Sequence, residues 1–153
     1  MFAADHHLAE MVEYLSLRNT WLDEEDANSI TILMHFLFAK DFKGAYRLII
    51  RGANIDYVNR NGNTALHLCI QNEIVESIDF LLGKGANPHI MDLNGQDACD
   101  MAKKRGLARR FSIFNDCNPH MKQLPKMPDG NYAKVEAIVF TGDDKPQKFE
   151  YAK

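Results

Sequence analysis

Apolar residues recur along this chain in short runs at three- and four-residue spacing, broken by polar turns. Leu8, Met11, Val12 and Leu15 form one stripe over residues 5–18, which predicts a helix capped by Asp5. Trp21 and Leu22 follow as an anchor, and Asp23-Glu24-Glu25-Asp26 reads as a solvated acidic turn. Residues 30–39 and 42–50 then predict a helix pair broken near Lys40-Asp41, with Gly52 ending the second helix. Residues 64–72 and 74–82 predict a second pair, and 97–105 and 107–114 a third, broken at Gly106. The pattern is periodic. Gly85-Ala86-Asn87 matches Gly52-Ala53-Asn54, and Gly95 matches Gly62 at the same offset. A fixed period of roughly 20–50 residues marks stacked repeat units, which build binding surfaces more readily than reaction centres.

Beyond Cys117 the pattern changes. Four of the five prolines lie in residues 118–153. Residues 118–131 are expected to be irregular. Residues 132–140 are rich in strand formers, Thr141-Gly142-Asp143-Asp144 has turn chemistry, and Lys148 to Tyr151 supplies a return strand for a small β-hairpin.

The middle unit carries a specific resemblance. Asn59 to Cys69 (NRNGNTALHLC) looks like the ankyrin opening D-x-x-G-x-T-P-L-H-x-A, and Ile74 to Asn87 resembles its second helix and closing turn. Residues 92–117 resemble a terminal repeat, and Leu48 to Asn54 match the ending of the unit 26–58. The offset between the matching glycines is also the ankyrin period. The chain therefore resembles the ankyrin-repeat family over residues 26–117. The implied fold is an all-α solenoid of stacked helix pairs with short hairpin loops. Three units are expected, 26–58, 59–91 and 92–117, with an N-terminal capping helix in 1–25 and a C-terminal extension over 118–153. Thr64 and Asp97 suit the helix N-caps, and Gly62 and Gly95 the tight loops. His67 occupies a position that in this family hydrogen-bonds backbone between hairpins. Departures are also visible: Ala65 replaces Pro, Lys40 and Glu73 stand where Gly closes the inter-helix turn, and Cys99 stands for Leu.

Composition narrows the function. The formal charge is −3, with 46% hydrophobic and 25% charged residues. Residues 1–25 hold one Arg against six acids, and 26–117 hold 11 basic and 10 acidic residues. No segment has the positive field that nucleic-acid binding needs. No apolar run is long enough for a membrane span, and the N-terminus lacks the features of a secretory signal or transit peptide. Cys69, Cys99 and Cys117 are odd in number and lack a CxxC pair, so neither a disulfide framework nor a zinc site is expected. A reducing intracellular compartment follows, with the cytoplasm as default and an organellar complex or a cilium as alternatives.

Candidate chemistry is sparse. His6-His7 point in different directions on a helix, so an exposed pair is favoured over a metal site. Cys69 lies two residues from His67, a spacing that does not face them together on a helix, and core packing is favoured for Cys69 and Cys99. Lys103-Lys104-Arg105 with Arg109-Arg110 is a basic cluster without interleaved aromatics, and a solvated cap is favoured; an acidic protein surface would suit it better than nucleic acid. Phosphate loops and catalytic signatures are absent. No cofactor, metal or small-molecule substrate is implied.

By position in the motif, the concave face would present Val58, Arg60, Asn61 and Asn63 from one hairpin, Met91, Leu93, Asn94 and Gln96 from the next, and Gln71, Asn72, Lys104 and Arg105 from the inner helices. The reading is a non-catalytic protein-interaction module, a structural or accessory subunit of a larger assembly that binds through this face and the tail. A free regulatory adaptor or inhibitor is the alternative, and a small enzyme with a cryptic site the reading from another class.

Overall fold

The computed structural model describes residues 22–117, 120 and 122–128. The helix expected at 5–18 and the hairpin expected at 132–151 lie outside the described residues. Five helices follow in order: α1 (Ile32–Phe38), α2 (Phe42–Ile50), α3 (Ala65–Gln71), α4 (Val75–Gly83) and α5 (Ala98–Lys104). Two 3-10 turns, Leu107–Arg109 and Ser112–Phe114, complete the third unit. No strand forms among the described residues. There are isolated bridges at Glu25–Thr31, Met91–Asp97 and Ile90–Gln123.

The inner helices start at caps that recur in register with the repeat. Thr31 Oγ1 accepts from the Met34 N–H at 3.3 Å, Thr64 Oγ1 from the His67 N–H at 3.3 Å, and Asp97 Oδ1 from the Asp100 N–H at 2.8 Å. Each cap satisfies a backbone donor that the first turn leaves unpaired. The turn after each inner helix is left-handed at Lys40 (φ 57°), Glu73 (φ 55°) and Gly106 (φ 73°). Glycine occupies that conformation without Cβ strain, whereas Lys40 and Glu73 are strained by it.

Helices of seven to nine residues are too short to stand alone. Here α1 packs on α2 and α3, and α3 packs on α4 and α5. One apolar core results, running from Leu33 through Leu66, Ile70, Ile78 and Leu81 to Met101 and Phe114. The Ser77 hydroxyl donates to the Leu37 carbonyl at 2.6 Å, pinning α4 under the end of α1.

The loops repeat as faithfully as the helices. Asp26, Asn59 and Asp92 hold the same place in successive units, and each side chain accepts two backbone N–H groups from its own loop at 2.8–3.1 Å. A second ladder joins successive units. Asp23 Oδ1 accepts from Asn54 N–H at 3.0 Å, and Asp56 Oδ1 accepts from Asn87 N–H at 2.8 Å. At the third rung the residue is His89, whose backbone carbonyl accepts from Gln123 N–H at 2.7 Å. Gln123 thus takes the place that a next loop would hold at this rung. Lys122 Nζ pairs with Asp100 Oδ2, and Pro125 is buried.

Three expectations are corrected. Residues 107–114 do not form an α-helix, because Phe111 is extended (φ −115°, ψ 103°) and splits the segment into two 3-10 turns. That break lets Phe114, fully buried, close the core with Phe111 packed edge-on at 5.7 Å. It also brings Cys117 against α5, where Cys99 and Cys117 form a disulfide. The odd cysteine count concealed this pair, because Cys69 alone is the buried free thiol. Finally, the acidic run 23–26 is more than a solvated turn: Glu25 is buried at its side chain and accepts from the Tyr57 hydroxyl at 2.9 Å and from Arg60 N–H at 3.0 Å.

Candidate partner-binding surface

The inner helices α3 and α5 and the loop between the second and third units enclose a cleft of about 460 Å³. Gln71, Asn94, Gln96, Lys104 and Arg105 line it, with Asp92 and Met101 at its base. Asp92 is 4% exposed and its Oδ1 accepts from Asn94 and Gln96 N–H, so it shapes the floor of the cleft. Lys104 and Arg105 are exposed at the end of α5. Arg105 reaches Glu73 Oε1 at 3.2 Å, an exposed pair of little energetic weight. Gln71 Nε2 donates to Asn63 Oδ1 at 3.5 Å, tying one hairpin to the cleft wall.

The twelve predicted contact residues separate into five groups. Five line this cleft: Gln71, Asn94, Gln96, Lys104 and Arg105. Leu93 is 41% exposed beside it on the same loop. Asn61, Asn63 and Asn72 are exposed or half-buried nearby in the chain, and Asn72 turns its amide onto the Leu68 carbonyl at 2.8 Å. Arg60 belongs elsewhere, lining a recess of about 630 Å³ with Leu22, Glu25, Tyr57 and Pro128. Val58 (3% exposed) and Met91 (0%) are buried, contrary to expectation. Val58 and Met91 sit just before the Asx turns at Asn59 and Asp92 and are buried in the core, whereas Arg60 and Leu93 lie within those turns and face out.

Sequence reasoning also missed the Glu25–Tyr57–Arg60 recess, whose residues carry no motif of their own. Burial, reinforced by the Glu25 carboxylate, pushes the Tyr57 hydroxyl up to about 12. Pro128 reaches this recess, so segment 122–128 runs from the third loop toward the first.

The remaining chemistry is structural. His67 Nδ1 accepts from Thr64 N–H at 3.1 Å, and the ring is buried. Its Nε2 lies toward the next loop, facing the Ile90 and Gln96 backbone. Burial lowers the His67 pKa, partly offset there by Asp92 and by the Gln96 and Ile90 backbone. Burial pushes the Cys69 thiol up to about 12, which keeps it protonated and unreactive. Among the described residues no helix is long and apolar enough to cross a membrane.

A family model described as ankyrin repeats, three copies, matches residues 1–92. The chain is 52% identical over 54 residues to an ankyrin repeat protein of Acanthamoeba polyphaga mimivirus, covering 35% of this chain and 13% of that protein. A second ankyrin repeat protein of the same virus is 31% identical over 81 residues, covering 52% of this chain and 11% of that protein. The chain thus spans about an eighth of the length of these curated relatives.

Proposed function

This chain belongs to the ankyrin-repeat family, and on that premise we propose that it is a structural or accessory subunit that holds an acidic segment of a protein partner in the cleft between α3 and α5. Ankyrin repeats are in general protein-interaction modules without catalytic activity of their own. The observation that carries the finer reading is the arrangement of the cleft. Lys104 and Arg105 offer cationic heads at its rim, Asn94 and Gln96 offer amides across from them, and exposed Leu93 stands beside it. Asp92, the acid on its floor, is buried and its Oδ1 is taken up by backbone donors. A partner carboxylate with an adjacent apolar residue matches that set, with electrostatics favouring encounter and Leu93 contributing desolvated contact. The tail segment 122–128 is already engaged with the repeats, so the reading gives it a bracing role and leaves the cleft for the partner.

The test uses the full chain as bait in its own cells, with wild type beside a Lys104→Glu, Arg105→Glu variant. A partner recovered in stoichiometric amount by wild type and lost at least about 10-fold with the variant supports the reading, since two charge reversals at an interface cost more than about 1.4 kcal/mol. Equal recovery by both forms removes the cleft from the account. Substoichiometric recovery that washes away with salt favours the transient adaptor instead.

A further inference from the structure

The third unit departs from the repeat at two positions whose side chains meet. The residues at 23 and 56 are Asp and the third in the series is His89. The residues at 33 and 66 are core leucines and the third is Cys99. The carboxylates of Asp23 and Asp56 each hold the next unit's backbone, but at His89 the backbone carbonyl meets the tail instead. The imidazole is therefore released from the ladder. Phe111 and Phe114 then turn the chain so that Cys117 arrives beside both. One ligating atom from each of His89, Cys99 and Cys117 lies within 4.8 Å of the other two. His89 Nδ1 is buried and has no hydrogen-bond partner. The disulfide satisfies both sulfurs and leaves that nitrogen unpaired, whereas a cation between the three would satisfy all of them.

We propose that the reduced chain holds a zinc-class divalent ion on Cys99 Sγ, Cys117 Sγ and His89 Nδ1, and that oxidation of the same two thiols to the disulfide expels it. Two thiolates and an imidazole select zinc or cobalt over magnesium or calcium, with a fourth tetrahedral position left to water. His89 and Cys117 are only half-buried, which gives the ion a way in. The chemistry balances. A dithiol reductant delivers two electrons and two protons to the disulfide and becomes a disulfide itself. The two thiols then lose two protons as the ion binds. In reverse, hydrogen peroxide takes two electrons from the thiolate pair and two protons from the medium, yields two waters, and leaves the S–S bond formed and the ion released. The ion would join the loop before α5, the start of α5 and the end of the stack, so the terminal unit is fastened in either state.

Cobalt(II) is titrated into the full chain after complete reduction and removal of the reductant. Expected are one equivalent bound, thiolate-to-cobalt charge-transfer bands, displacement by zinc, and zinc protection of Cys99 and Cys117 from alkylation. Cys69→Ala should keep the same isotherm. His89→Asn should weaken binding by more than the roughly 10–100-fold that loss of an outer-shell partner costs, and Cys117→Ser, which leaves one thiolate, should weaken binding and diminish the charge-transfer bands, with circular dichroism reporting that each is folded. Peroxide should release the zinc in step with disulfide formation. The proposal is overturned if the reduced wild type binds cobalt no more tightly than Cys117→Ser, if charge-transfer bands are absent, or if His89→Asn binds like wild type. Those outcomes leave a purely structural disulfide, and none of them bears on the partner cleft.

Discussion

His67 ties the stability of the stack to pH. Its folded pKa lies below the ordinary value because burial disfavours the imidazolium. At pH above about 6.5 the ring is neutral in both states and contributes no pH dependence. As pH falls through about 6.5 toward the folded pKa, the unfolded chain takes up a proton that the folded chain refuses, and stability is lost. Asp23 and Asp97 act in the opposite sense at lower pH, since burial raises both. Urea midpoints at pH 7.5 and 5.5 should therefore differ for wild type, and the difference should shrink in His67→Gln; an unchanged difference would remove His67 as its origin. Lys40 offers a second test. It sits at φ 57° and its pairing with Glu76 at 3.2 Å is exposed. Lys40→Gly should stabilise by about 0.5–1 kcal/mol in urea unfolding, because relief of left-handed strain outweighs a surface ion pair and the added chain entropy.

Among the elements, the third unit is the instructive one. The first two units bury their inner helices under α2 and α4, but α5 has only two 3-10 turns above it. Phe114 supplies what a second helix would have supplied, at 0% exposure. Phe114→Ala should cost about 3–5 kcal/mol, and in a stack this short the loss should fall first on α5. Hydrogen exchange should show α5 amides losing protection while those of α3 keep theirs. Uniform loss across all helices would mean the stack unfolds as one unit. The apolar spacing in 107–114 was legible as helical, but the periodicity of Leu107, Phe111 and Phe114 is shared by two linked 3-10 turns. Only the demand of the cavity over α5 separates them.

In the molecule as a whole, the repeats end at an open rung and the tail fills it. Gln123 pairs with His89 and Met91 backbone, Lys122 with Asp100, and Pro125 is buried. Deleting residues 122–153 should expose the edge of the third unit and lower the melting temperature by ~4 °C or more, on the scale of roughly 2–4 °C per kcal/mol for a chain of this size. A scanning calorimetry trace that does not move would show the segment to be a passenger. The cleft between α3 and α5 should survive that deletion in shape, because its walls belong to the helices and the loop around Asp92.

The repeat, its period, the inner-helix caps and the loop positions can all be read from the chain, because each depends on residues near one another in it. Thr64, Gly62 and Asp97 announce their roles through local backbone needs, and the cleft residues Gln96, Lys104 and Arg105 follow from the same register. Folding was needed to settle which loop side chains face inward, so that Val58 and Met91 are core while Leu93 is surface. Folding also joined Cys99 to Cys117, set His89 beside them, and brought Glu25 to Tyr57 and Gln123 to His89. The disulfide partners are separated by 18 positions and the Glu25–Tyr57 pair by 32, distances that no local spacing encodes. These contacts exist because stacking neighbouring units is the way such short helices can bury their apolar faces, and stacking brings distant side chains to one place.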